Sequence, residues 1–64
     1  MKRQLPRKEA AGMTVNERLW VSGLWEDFEK AVAERNRQVL RAILEQVHLD
    51  AESADAVIQQ LLEE

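Results

Sequence analysis

The sequence predicts an all-α protein: a small three-helix bundle, built from an αα-hairpin and a C-terminal helix, behind a disordered basic N-terminal arm. Apolar residues recur at helical spacing from Val21 to Leu62, and no stretch alternates as a strand does. Asn36 and Asp50, the polar joints between these stripes, are residue types that cap helices. With 64 residues and no Cys, the chain has room for one domain and a thin core, and chains of this size are marginal as monomers.

Residues 1–12 read as the arm. Pro6 and Gly12 interrupt it, and Leu5 is its only large apolar residue after Met1. Lys2, Arg3, Arg7 and Lys8 stand there against Glu9, a net charge of +3, whereas residues 13–64 carry five basic and eleven acidic side chains, a net of −6. An acidic body with a short basic arm can bind its own surface, an acidic partner, or nucleic acid weakly.

The remaining residues, 13–64, read as a single helical domain. Its first helix is expected over about 15–35. Thr14 and Glu17 have the spacing of a capping box, with Asn16 a competing cap that would place Val15 and Trp20 as a hydrophobic staple. Val21, Leu24, Phe28, Ala31 and Val32 supply the inner stripe, and Glu26, Asp27, Glu29, Lys30 and Glu34 the outer face. Asn36 tolerates the left-handed conformation that ends a helix and can also cap the next one. A second helix is expected over 37–47, on the narrow stripe Val39, Leu40, Ile43, Leu44, Val47. So short a joint folds the two helices into an αα-hairpin, a single helix running through Asn36 being the competing arrangement. Asp50 opens the third helix, 51–62, with Leu49 as its staple residue and Ala54, Val57, Ile58, Leu61 and Leu62 facing inward.

No motif defends an enzymatic, metal or cofactor reading. His48 is the single His, so with no Cys there is no Cys/His zinc set. It lacks a nucleophile partner, and at a helix C-terminus it favours the dipole instead. Glu26 and Glu29 share a helical neighbourhood, but paired carboxylates catalyse only when burial separates their pKa values, and this face is exposed. Val47 to Ile58 has the apolar spacing of a helix-turn-helix. Its would-be recognition helix nevertheless exposes Ala51, Glu52, Asp55, Gln59 and Gln60, which phosphates would repel or ignore. No apolar run approaches the ~20 residues of a membrane span, and the N-terminus lacks the apolar segment of a signal peptide. A cytoplasmic protein is therefore expected.

The most informative window is Leu19 to Trp25, which holds five large apolar residues and both tryptophans. On one continuous helix at ~100° per residue, Trp20, Val21, Leu24 and Trp25 spread across a broad inner face. Leu19 then falls on the outer side beside Gly23. A mid-helix Gly costs about 1 kcal/mol against Ala, and a missing side chain there lets another backbone approach. Leu19 and Gly23 thus form an expected outer seam, with Trp20 and Trp25 as anchors or as core.

The stretch Asn16-Glu17-Arg18-Leu19-Trp20-Val21-Ser22-Gly23-Leu24, followed by Phe28-Glu29-Lys30-Ala31-Val32 and later Ile43-Leu44, resembles small bacterial proteins of uncharacterised function. The resemblance covers most of residues 14–62. It implies a compact helical fold with no assigned activity and adds no site residues. Residues 1–12 depart from that group, whose members begin near the position of Met13, so Met13 is a candidate natural start.

These readings converge on a non-enzymatic association module without cofactor. The partner-binding residues would be Leu19, Trp20, Gly23 and Trp25, in a homodimer or against another protein. The competing expectation is a nucleic-acid-associated regulator with Lys2, Arg3, Arg7 and Lys8 as phosphate contacts, which the acidic body disfavours.

Overall fold

In a computed structural model, which describes residues 4–63, the expected all-α class holds. The described residues form α1 (Arg7–Ala10), α2 (Val15–Ser22), α3 (Trp25–Ala33), α4 (Arg37–Gln46) and α5 (Ala51–Leu62). From α2 onward each helix packs on the next, in a body of 33 × 25 × 16 Å.

The expected first helix is two helices. Thr14 wins the N-cap of α2 from Asn16: its Oγ1 accepts the Glu17 amide at 3.2 Å, and Glu17 Oε1 accepts the Thr14 amide at 3.0 Å. After eight helical residues the chain turns at Gly23, at φ 76°. The Gly23 amide donates to Trp20 O at 3.2 Å and the Leu24 amide to Leu19 O at 3.0 Å. This pair of bonds is the Schellman closure, which needs a left-handed residue at its corner. Gly adopts that conformation at no steric cost. Leu19 and Leu24 are both buried beneath the turn, the apolar contact that accompanies this closure. Gly23 is therefore a helix terminator, not a thin spot in a continuous helix.

The same closure recurs twice without glycine. Arg35 sits at φ 54° and His48 at φ 68°. Arg35 N donates to Val32 O at 3.0 Å and Asn36 N to Ala31 O at 2.9 Å, while His48 N donates to Glu45 O and Leu49 N to Leu44 O, both at 3.0 Å. Asn36 was expected to end one helix in the left-handed conformation or to cap the next, and only the second holds. It lies instead one step beyond, at φ −90°, where its side chain accepts the Val39 amide at 3.2 Å and caps α4. Asp50 starts α5 from an extended backbone; its side chain caps no helix amide, and a hydrogen bond with Ser53 in the first turn holds its carboxyl below the ordinary value.

The basic arm also departs from expectation within the described residues. After Pro6 it makes the single helical turn α1, whose Ala10 amide returns to Pro6 O at 3.0 Å. Leu5 and Ala10 are buried and belong to the same apolar cluster as Leu19, Leu24, Phe28, Leu40, Leu44, Val47 and Ile58. Lys2 and Arg3 lie outside the described residues. A chain this short gains from every apolar side chain it can bury, about 2 kcal/mol for a fully buried Leu, and Leu5 is recruited.

Three side chains hold the segments together by donating to backbone carbonyls on other elements. Arg18 donates through Nε to Met13 O and through Nη1 to Val47 O, both at 3.2 Å. Arg35 donates to Leu62 O at the end of α5, and His48 Nε2 bonds to Leu5 O, which requires the ring proton on that nitrogen. The carbonyl end of α4 is thus met by Arg18, where the sequence pointed to His48.

A Gly23→Ala change tests the corner. A Cβ in the left-handed region costs about 1–2 kcal/mol, so the unfolding free energy is expected to fall by that amount, read as a lower urea midpoint with the slope unchanged. An unaltered midpoint would show that α2 and α3 tolerate a different joint.

Candidate functional site

The break at Gly23 resets the helical phase, and with it the faces of the aromatic window. Within α2 alone, Val15, Leu19 and Ser22 share one side, and that side is the inner one. Leu19 is 0% exposed and Ser22 is buried, its Oγ donating to Leu19 O at 3.2 Å. Trp20, expected on the inner face, is 72% exposed, and Val21 beside it 40%. Leu19 is consequently core and no part of a surface seam. Gly23 is on the surface, but its role is the turn.

Trp25 opens α3 as its first residue and is half-buried, packed against the core cluster. Its indole meets that of Trp20 edge-to-face, with ring centroids 5.8 Å apart at 63°. On its other side it leans on Phe28, 6.2 Å away and tilted by 30°. Phe28 is buried, so Trp25 is braced by the core while Trp20 stands out from α2 against it. Together the indoles wall a cleft of about 260 Å³, completed by Asn16 and Glu17 one turn before Trp20. Of the four residues expected to bind a partner, the structure brings together Trp20 and Trp25, buries Leu19, and places Gly23 at the exposed turn between the two helices.

Asn16 and Glu17 were not singled out as site residues. The signal was present, because positions three and four before Trp20 lie on its face of a helix. Glu17 is held in place by the capping box, and the Thr14 amide and hydroxyl keep its carboxyl below the ordinary value of 4.5. One carboxylate is therefore fixed, and fixed ionised, at the edge of the aromatic cleft.

Charge around the cleft has one sign. Trp25, Glu26 and Glu29 lie on one flank of α3, the two glutamates exposed, while Asp27 and Lys30 line a separate groove of about 320 Å³ with Leu24, Val39 and Ile43. Arg18, the single base between Thr14 and Glu29, is turned to the Met13 and Val47 carbonyls.

No family model, curated protein or solved structure matches the chain.

The other candidate residues among those described do not line the cleft. Arg7 and Lys8 are exposed on α1. His48 is engaged by the Leu5 carbonyl. In the stretch read as a helix-turn-helix, Asp55 pairs with Arg41 at 2.6 Å, an exposed contact worth about 0–1 kcal/mol. Among the described residues no group of three His, Cys, Asp or Glu could hold a metal ion, and no helix is long and apolar enough to cross a membrane.

The Glu17 carboxyl gives a pH test of the box that positions the cleft. Its folded pKa lies below its unfolded one, so its contribution is complete above the unfolded value. That contribution is lost as pH falls through the lowered folded value. Acidification from neutrality is expected to leave α2 intact until below about 4.5 and then fray its first turn, read from amide exchange at Val15 to Arg18. Glu17→Gln, which preserves the box geometry, should remove that acid-side step.

Proposed function

We propose that this protein is a non-enzymatic association module whose anchor is the Trp20–Trp25 corner. The observation that carries the reading is the exposure of Trp20 at 72% in a chain short of core material. Tryptophan is the residue type most enriched among those that dominate binding energy. Here one indole is presented to solvent while its neighbour is braced from within, so little order remains to be gained on binding. Such pre-organisation lowers the cost of association.

A second copy of the chain is a less fitting partner than another polypeptide. Self-association was expected to use Leu19 and Gly23 as a close-packed seam, and the burial of Leu19 leaves that seam without its apolar side chain. The open part of Trp20 amounts to about 180 Å² on the scale of a whole indole, against roughly 800 Å² per partner in a stable interface. A patch of this size suits one anchoring side chain and a short segment around it. The acidic flank supplies a solubilising rim.

Two measurements test the reading together. Trp20→Ala is expected to leave the unfolding free energy from urea titration within about 0.5 kcal/mol, as for surface changes, whereas Leu19→Ala should cost about 2–5 kcal/mol. In the free protein, acrylamide should quench Trp20 fluorescence readily, measured with Trp25→Phe as background, and sedimentation at micromolar concentration should show a monomer. A dimer that survives Trp20→Ala, or a Trp20 shielded from acrylamide, would remove the corner as the anchor.

A further inference from the structure

The cleft has the makings of a cation receptor. Its two walls are indoles set at 63° with centroids 5.8 Å apart, so one positive group can lie within about 6 Å of both rings, the range over which an aromatic face attracts a cation. Its rim carries Glu17, whose carboxylate is anchored by the Thr14 amide at 3.0 Å. Glu26 and Glu29 extend the negative charge along α3, and the nearby Arg18 is spent on two backbone carbonyls. Among the described residues no lysine or arginine lines the cleft. An anion would be repelled by Glu17, and a purely apolar group would make no use of the charge at the rim.

We propose that the Trp20–Trp25–Glu17 corner receives a lysine or arginine side chain of a polypeptide partner. This rests on the association reading above and names the chemistry of the partner. The cationic head would sit against the two indoles with Glu17 as counter-charge, and the aliphatic stem would lie along the ring surface. Asn16 lines the same cleft and offers an amide to the partner's backbone. The cleft is open, and an exposed ring strengthens cation binding by only about two- to fivefold. A bare cation would therefore bind feebly, and a basic residue carried on a chain, with contacts on either side of it, is the occupant that gains useful affinity.

The test is a titration of the full-length protein followed by the indole N–H resonances of Trp20 and Trp25. The ligands are acetyl-Gly-Ala-Arg-Ala-Gly-amide, its lysine counterpart, and the citrulline version, which keeps the shape of arginine without its charge. Both basic peptides are expected to shift both indole signals saturably, with at least about tenfold preference over citrulline at low salt. Glu17→Gln, which retains the capping box, should reduce the preference several-fold, and Trp20→Leu should abolish the shifts while leaving the helical circular dichroism unchanged. Equal binding of the citrulline peptide would overturn the cation assignment and leave the association reading standing. Indole signals that no peptide moves would also overturn the assignment, and the acrylamide and sedimentation experiments would then judge the association reading on its own.

Discussion

Three left-handed residues set the shape of this molecule. Gly23, Arg35 and His48 each end a helix with paired bonds from the corner residue and its successor. Without such corners the apolar stripes of α2 to α5 would lie along one rod, with nothing to bury against. Gly23 takes its conformation freely, but Arg35 and His48 each give up about 1 kcal/mol or more to do so. Both return something for that cost. Arg35 reaches the last carbonyl of α5, and His48 reaches the Leu5 carbonyl ahead of α1. The residues that turn the chain in its middle thus also pin segments near its two ends.

The position of the first corner decides what the protein can present. Had α2 continued through residue 23, Trp20, Leu24 and Trp25 would have shared an inward face and Leu19 would have pointed out. Ending the helix at Ser22 lets Leu24 fold under the turn onto Leu19, and α3 restarts with its own phase. The indoles are left at the outside of the joint, one on each helix, close enough to touch. A corner made of two helices can hold two rings at a steep angle, which a single helix face cannot do.

Several of these features could be read from local chemistry. The Thr14–Glu17 box, Asn36 as a cap and Asp50 at the start of α5 each rest on contacts within a few residues, and the stripes of α4 and α5 on simple periodicity. Gly23 was visible too, but its meaning was not. A glycine inside an apolar pattern fits a continuous helix or a stop, and the choice is made by the burial of Leu19 and Leu24 together, a tertiary fact. Arg35 and His48 were less legible still. Arg has no preference for the left-handed region and His only a modest one, and the partners that hold them lie 27 and 43 positions away. The arm misled for a related reason: Leu5 is one apolar residue in a polar stretch, and only the assembled core shows the place it fills.

The exposure of Trp20 gains weight from the size of the chain. A fully buried large apolar side chain contributes roughly 1.5–3 kcal/mol, a substantial part of the 5–15 kcal/mol that separates most folded domains from their unfolded state. This protein draws Leu5 and Ala10 into its core from an otherwise polar segment, yet leaves the larger side chain of Trp20 outside. Stability does not account for that distribution. The edge contact with Trp25 returns only about 0.5–1.5 kcal/mol, and a Lys or Glu at position 20 would cover the joint as well and suit water better. The site at which the chain forgoes burial is also the site where a fixed carboxylate and a braced second indole converge. On the proposed reading, an occupant at this corner accounts for the exposed Trp20, which packing alone does not.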